Sequence, residues 1–434
     1  TKVVKEDSTK KTIESLDQKV KGMTKFDGLF TFYQDTTDGN LFMLIKKSQE
    51  GEEFIYFVQS VDGIVDVRFN RGSYRQSRIF SIQKYFNRIE LVNENVSFYF
   101  DPDNAISRAK SANISASIMA SQKIVAMDSL KNKFLVEADG IFLNESLQQI
   151  KLPPPLGKEE NKRFNLGNLN KEKSKYIAVK NYPMNSDVIV QYTYDNPTPQ
   201  NRGRSGITDP RSVNITLRHS FLKVPDNDYM PRLDDPRVGY FTTRVTDMTS
   251  TSVAPYRDLI HRWNLKKKKP QEKLSEPVVP VVFWIENTTP DEFRPAVEEG
   301  VLAWNKAFEK AGFENAVQVK TQPDDAEWDA GDIRYNVIRW TSSPSPPFGG
   351  YGPSFVNPRT GEILGADIMM EYVYFTNRVK YDYLFKQEPA EFDENNCNAG
   401  EFIHQGNLFG TTAINFVSNK ELLAKELIRQ SLVR

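Results

Sequence analysis

Residues 281–312 read V-V-F-W-I-E-N-T-T-P-D-E-F-R-P-A-V-E-E-G-V-L-A-W-N-K-A-F-E-K-A-G, and the fold turns on how this stretch is read. Residues 281–285 form an apolar, β-prone run closed by a polar turn, the pattern of a buried strand. Thr289, Pro290 and Glu292 then supply an N-cap, a proline at the first helical position and a box-closing carboxylate. Phe293, Val297, Val301, Trp304 and Phe308 follow at three- or four-residue spacing, which predicts a helix over 293–311 stopped by Gly312. Residues 316–320 and 333–340 read as strands, and 342–350 as a Pro- and Gly-rich loop. Residues 351–356 read as a strand, 357–361 as a turn and 363–370 as the last strand. This order predicts a mixed α/β layer built on a twisted sheet.

Upstream the period changes. G-L-F-T-F-Y and L-F-M-L-I flank Asp38-Gly39, a hairpin signal, and F-I-Y-F-V follows at 54–58. Residues 98–100, 134–138 and 186–194 also read as strands. In the last of these, Val188, Val190, Tyr192 and Tyr194 share one face. Residues 212–221 alternate likewise, with Val213, Ile215, Leu217, His219 and Phe221 on one face. Residues 103–128, rich in small side chains, are predicted helical, and 151–174 a Pro- and charge-rich loop. The resulting division is a polar tail or helix over 1–24, a β-rich module over 25–90 and a second β-rich module over 91–265. A linker over 266–277 leads into the α/β layer over 278–434. The fold class is α+β. The lysine run Lys266–Lys269 reads as a solvated linker, with a polyanion site as the less favoured alternative.

The chain has 434 residues, with 57 Lys+Arg balancing 57 Asp+Glu. No net field points to nucleic acid as a partner. One cysteine, Cys397, permits no internal disulfide, and no run approaches the ~20 apolar residues of a membrane helix. The first residue is Thr1, so an N-terminal segment is expected to have been removed.

The residues by themselves carry no catalytic constellation. Nucleotide-binding glycine motifs, the nucleophile elbow and paired cysteines are absent. The three histidines are scattered. His219 on an apolar strand face reads as a satisfied core histidine, His261 as a packing or bonding group near the linker, and His404 has no partner nearby in sequence. Residues 101–104 (D-P-D-N) lack the glycine and the glutamate that a calcium loop needs at its sixth and twelfth positions. Cys397 reads as an inert thiol.

Three segments resemble a family of large bacterial zinc-dependent metalloproteases of Gram-negative species. They are P-D-E-F-R-P-A-V-E-E-G-V-L-A-W-N-K-A-F-E-K-A-G-F, D-I-R-Y-N-V-I-R-W and N-P-R-T-G-E-I-L-G-A-D-I. L-F-T-F-Y and F-I-Y-F-V are similar to the first module of that family's N-terminal region. D-D-P-R-V-G-Y-F and L-I-H-R-W-N-L are similar to its second. The order of elements after Val281 resembles the upper half of a zincin of the matrixin and astacin kind. The resemblance implies that 293–311 is the backing helix and 351–356 the edge strand. It also implies that Gly350, Tyr351, Gly352, Pro353, Ser354 and Phe355 pair through their main chain with an extended peptide or protein substrate. It implies zinc in the full-length protein, held by a His-Glu-x-x-His helix, and secretion or a periplasmic location.

Residues 418–434 bear on that zinc helix. Ser418 and Glu421 form a capping box, and Leu422, Leu423, Leu427, Ile428 and Leu432 mark an apolar stripe with no stop signal before Arg434. The expectation is a chain cut just before the zinc ligands, with no zinc bound to it and no catalytic residue in it. The alternative is a non-catalytic peptide-binding or scaffolding protein.

Overall fold

Along Ser212–Lys223 the side chains of Val213, Ile215, Leu217, His219 and Phe221 all point inward and are buried. The strand pairs antiparallel with Asn185–Asp195 on one side and Glu53–Asp62 on the other. From Glu53–Asp62 the sheet continues through Arg78–Tyr85, Arg88–Glu94, Ser117–Met127, Lys133–Glu137, Leu41–Lys46 and Thr31–Gln34 to Thr24–Phe26, while Asn168–Asn181 forms the opposite end. The structure is a computed structural model describing residues 13–75, 77–153, 163–344, 346, 348–377, 425, 428 and 429.

The two ends of this sheet nearly meet. Asn181 Nδ2 donates to the carbonyls of Phe26 and Phe30 at 2.8 and 3.0 Å, and Leu29 N donates to Tyr182 O at 3.3 Å. Gly28 lies where a Cβ would come within 2.6 Å of Asn181 Cβ, so the approach requires glycine. The result is a nearly closed barrel. Its interior is filled by side chains, among them Phe30, Phe54, Phe80, Phe142 and Phe221. Interior and exterior alternate along each strand, as the pleat demands.

Several sequence expectations shift. Residues 103–128 are not a helix: a short 3-10 turn, Ala105–Ala109, is followed by the strand Ser117–Met127. That strand is held between Arg88–Glu94 and Lys133–Glu137, and ladder pairing on both sides overrides the helical preference of its small residues. Within the loop expected over 151–174, residues 154–162 lie outside the described residues and the strand Asn168–Asn181 begins at its end. Of the tail over 1–24, residues 1–12 lie outside the described residues. Leu16–Lys19 is one helical turn with Leu16 buried. Strands from both sides of the expected 90/91 division share the one barrel sheet. The lysine run is a solvated turn: Lys266, Lys268 and Lys269 pair with Asp228, Glu276 and Glu272.

The second layer follows. Val281–Ile285 lies between Val317–Thr321 and Asn336–Thr341, parallel to both. Ile363–Glu371 runs parallel to Asn336–Thr341, and Gly350–Tyr351 and Ser354–Val356 pair antiparallel with its free side. One face of this sheet carries Ile285, Ile338, Trp340 and Met370, which pack on Phe293, Val297 and Val301. The helix starts later than expected. Thr289 makes no cap, Asp291–Phe293 is a 3-10 turn, and the α-helix runs over Arg294–Leu302 and again over Asn305–Lys310. Between them the rod tightens, with Trp304 N donating to Val301 O at 3.2 Å. The Asn305 amide meanwhile grips both main-chain groups of Val317, at 2.8 and 2.9 Å, and so ties the helix to the strand.

The α+β class and the β-rich N-terminal region thus stand. From the expected terminal helix, Lys425, Ile428 and Arg429 are described. They are helical, and Ile428 is fully buried in the α/β core. Leu423 and Leu427 lie outside the described residues, as do Cys397 and His404.

Candidate functional site

The expected substrate edge is built by the strand register. Asp367 N donates to Pro353 O at 3.3 Å and Glu371 N to Gly349 O at 3.0 Å. Antiparallel pairs alternate between hydrogen-bonded and non-hydrogen-bonded. The next residues, Gly350 opposite Met370 and Ser354 opposite Ala366, therefore turn their N–H and C=O away from the sheet. Gly352 is in phase with them. Gly350 and Gly352 are exposed and Ser354 is half-buried. Among the described residues, no main-chain hydrogen bond outside the strand ladder engages these three. A Cβ at Gly350 or Gly352 would meet nothing closer than 3.5 Å, so an approaching chain finds space.

The other three expected residues serve elsewhere. Pro353 is buried and breaks the edge into two short strands. Tyr351 stands opposite Met369 in the ladder, with its ring 5.7 Å from that of Phe348. Phe355 turns to the barrel and packs against Phe57 in a tilted contact and Tyr74 edge-on, at ring distances of 5.2 and 5.7 Å. Its main chain belongs to the edge, but its side chain belongs to the seam between the two layers.

That seam was not foreseen from the sequence. Its apolar part joins Ile55, Phe57, Ile79 and Leu222 of the barrel exterior to Ile333, Phe355 and Leu364. Its polar part is charged. Asp187 and Arg218, neighbours on adjacent barrel strands, are buried with Asp187 Oδ2 3.5 Å from Arg218 Nε. The Asn185 amide donates to Asp187 at 2.9 Å and to Gly331 O at 2.9 Å, and accepts from Ile333 N at 3.3 Å. Asp329 takes Lys180 and the Tyr182 hydroxyl. Asp367, buried on the last strand, has no close hydrogen-bond partner for its carboxylate among the described residues, the Gln59 amide and Val337 N–H being weak donors to it. Burial pushes the Asp187 carboxyl up to about 6 against the pull of Arg218. It pushes Asp367 up to about 6 against Arg339 and Arg218. At Asp329 burial works upward too, but Lys180 and Arg218 hold the group at about 2.

Beside the edge, at the end of Asn336–Thr341, opens a cleft of about 620 Å³. Trp340, Ser342 and Tyr372 line it from the α/β layer, and Asn70, Arg71 and Arg204 from the barrel. Trp340 Nε1 is buried with no hydrogen-bond partner among the described residues.

His219 is the core histidine that its strand face implies. Tyr56 and Tyr192 hydroxyls lie 2.8 Å from Nδ1 and 2.7 Å from Nε2, and Tyr192 spends its hydrogen on Phe142 O at 2.6 Å. Donor counting therefore puts the ring proton on Nε2. His261 bonds Thr243 at 3.0 Å. Among the described residues no group of three or more His, Cys, Asp or Glu could hold a metal ion. None of their helices is long and apolar enough to cross a membrane.

Residues 72–268 match a family described as Domain of unknown function (DUF5117). The match covers the later barrel strands and the segment that leads to the α/β layer. No curated protein and no solved structure matches the chain.

Proposed function

We propose that this chain carries the N-terminal region and the substrate-binding upper part of a zinc-dependent metalloendopeptidase of the zincin kind. The observation that carries the reading is the antiparallel edge. Gly350, Gly352 and Ser354 direct free main-chain donors and acceptors outward from a mixed sheet whose other face is backed by the helix Arg294–Leu302. Such an edge accepts an extended peptide as one more strand, with affinity from the main chain and selectivity from the adjoining cleft. Buried Ile428 on the helix-bearing face agrees with a second helix docked there.

The described residues do not supply a ligand set for zinc. In this reading the zinc ligands and the general base are supplied by the full-length protein, in the His-Glu-x-x-His motif that the resemblance implies. What the described residues do is hold the peptide. Reading the coding sequence past Arg434 for His-Glu-x-x-His, and assaying the full-length protein on casein with and without a chelator, tests the assignment. Chelator-sensitive cleavage is expected. A folded full-length protein that binds extended peptides without cleaving them would replace the enzyme by a peptide-binding scaffold.

Ser354→Pro sharpens the test. The Ser354 N–H faces outward, so proline there leaves the ladder to Ile363–Glu371 intact while removing one donor to the peptide. Peptide turnover by the full-length enzyme should fall several-fold, with the melting temperature nearly unchanged. Unaltered turnover would put the substrate elsewhere.

A further inference from the structure

One end of the barrel breaks the usual chemistry of hairpin tips. The turn between Arg78–Tyr85 and Arg88–Glu94 presents Tyr85 and Phe86, which are 60% and 77% exposed. The turn between Ser117–Met127 and Lys133–Glu137 presents Leu130, 76% exposed. Phe86 and Lys131 hold φ of 50° and 54°, a left-handed conformation that glycine or asparagine takes more easily. Bulky residues are thus kept at the tips against local preference. Packing does not require them there: Phe86 contacts the ring of Tyr85 at 4.8 Å and otherwise faces outward.

The tips surround a recess of about 640 Å³, walled by Phe86, Ile124, Met127 and Phe134 and rimmed by Lys47, Lys84 and Lys131. Lys133 and Lys46 pair across neighbouring strands beside it. Among the acids nearby, Asp128 spends its carboxylate on the N–H groups of Asn132 and Lys133, Glu50 stands in the recess lining, and Glu14 follows Ile13 of that lining. None of Lys47, Lys84, Lys131 and Lys133 has an ion-pair partner among the described residues. In a chain whose charges balance overall, this end combines exposed apolar tips with lysines that no carboxylate neutralises, Lys84 resting 5.6 Å over the Phe134 ring.

From this juxtaposition we propose that the barrel end at Tyr85–Phe86 and Leu130 seats on an anionic lipid surface. The aromatic and leucine tips enter the headgroup boundary and the lysines contact lipid phosphates. Aromatic side chains favour that boundary, and a basic ring adds electrostatic attraction that falls with salt. Neither contribution alone gives stable attachment, and this surface has both.

The test is sedimentation of the purified chain with phosphatidylcholine vesicles, with and without about one third phosphatidylglycerol. Partition onto the anionic vesicles should exceed that onto neutral ones by about tenfold and should fall with added salt. Phe86→Asn with Leu130→Asn should cut it several-fold. Phe86→Asn suits the left-handed backbone, so the double variant should melt at or above the wild-type temperature, separating lost binding from lost folding. Replacing Lys47, Lys84, Lys131 and Lys133 by Gln should abolish the preference for anionic lipid. Equal binding to both vesicles, no binding, or partition unaffected by the Asn variants would overturn the proposal. Binding to a soluble acidic polypeptide as strong as to anionic vesicles would assign the surface to a protein partner instead.

Discussion

The barrel interior and the seam beneath the α/β layer both bury polar side chains, and they do so in opposite ways. In the interior, His219 is neutral, both ring nitrogens are satisfied by tyrosine hydroxyls, and the chain of bonds ends on the Phe142 carbonyl. In the seam the buried groups carry charge. Asp187 and Arg218 face each other at 3.5 Å, longer than a hydrogen bond, and the Asp367 carboxylate has no close hydrogen-bond partner among the described residues. A neutral, fully bonded network rigidifies a core. A charged, partly satisfied one gains little over apolar packing and fails badly when one partner is lost. The barrel is therefore expected to be the stable unit, and the attachment of the peptide-binding layer to be the element sensitive to mutation and pH.

The largest effect should come from stranding a seam charge. Arg218→Met leaves Asp187 buried and unpaired and should cost about 3–5 kcal/mol in chemical denaturation. Adding Asp187→Leu should recover at least half of that loss. A double variant as unstable as the single one would mean that the pair is more than a charge pair.

Titration separates the regions by sign. Burial depresses the His219 imidazole to about 3, below its unfolded value. The unfolded chain therefore binds more protons between pH 3 and 6.5, and His219 makes stability rise with pH there by about 1.4 kcal/mol per unit. Asp187 and Asp367 titrate at about 6 when folded, above their unfolded value. They bind more protons in the folded chain between about pH 4 and 6, so they make stability fall as pH rises through that window. His219→Gln keeps a donor and an acceptor and should remove only the rising contribution, seen as a smaller loss of stability from pH 6.5 to 4. Asp367→Asn should remove part of the falling one. Its stability relative to wild type should improve by about 1–3 kcal/mol between pH 4.5 and 7.5. Parallel pH profiles for wild type and Asp367→Asn would place that carboxyl in water.

The smallest effect should be at an exposed pair. Lys266 and Asp228 are well solvated, and Lys266→Ala should cost less than about 1 kcal/mol. A loss comparable to that of Arg218→Met would erase the distinction between seam and surface.

Much of this architecture is written in short-range pattern. The alternation that set Val188, Val190, Tyr192 and Tyr194 inward, and His219 with them, follows from the two-residue period of a strand and needs no partner to be read. The strand Val281–Ile285, the helix behind it and the order of strands to Ile363–Glu371 follow in the same way. That 351–356 lies at an edge came from the family resemblance and not from the local pattern. Where only tertiary structure decides, the reason is that partners come from far along the chain. Residues 117–127 became a strand because two neighbours needed a ladder between them. Asn181 reached Phe26 and closed the barrel across a separation that no local pattern encodes. Phe355 was read as part of the edge, but which way its ring turns was set by Phe57 and Tyr74, some 280 to 300 residues earlier. The pairing of Asp187 with Arg218, and the burial of Asp367, arise only when the barrel exterior and the sheet meet and exclude water from charges that, along the sequence, look like ordinary surface residues.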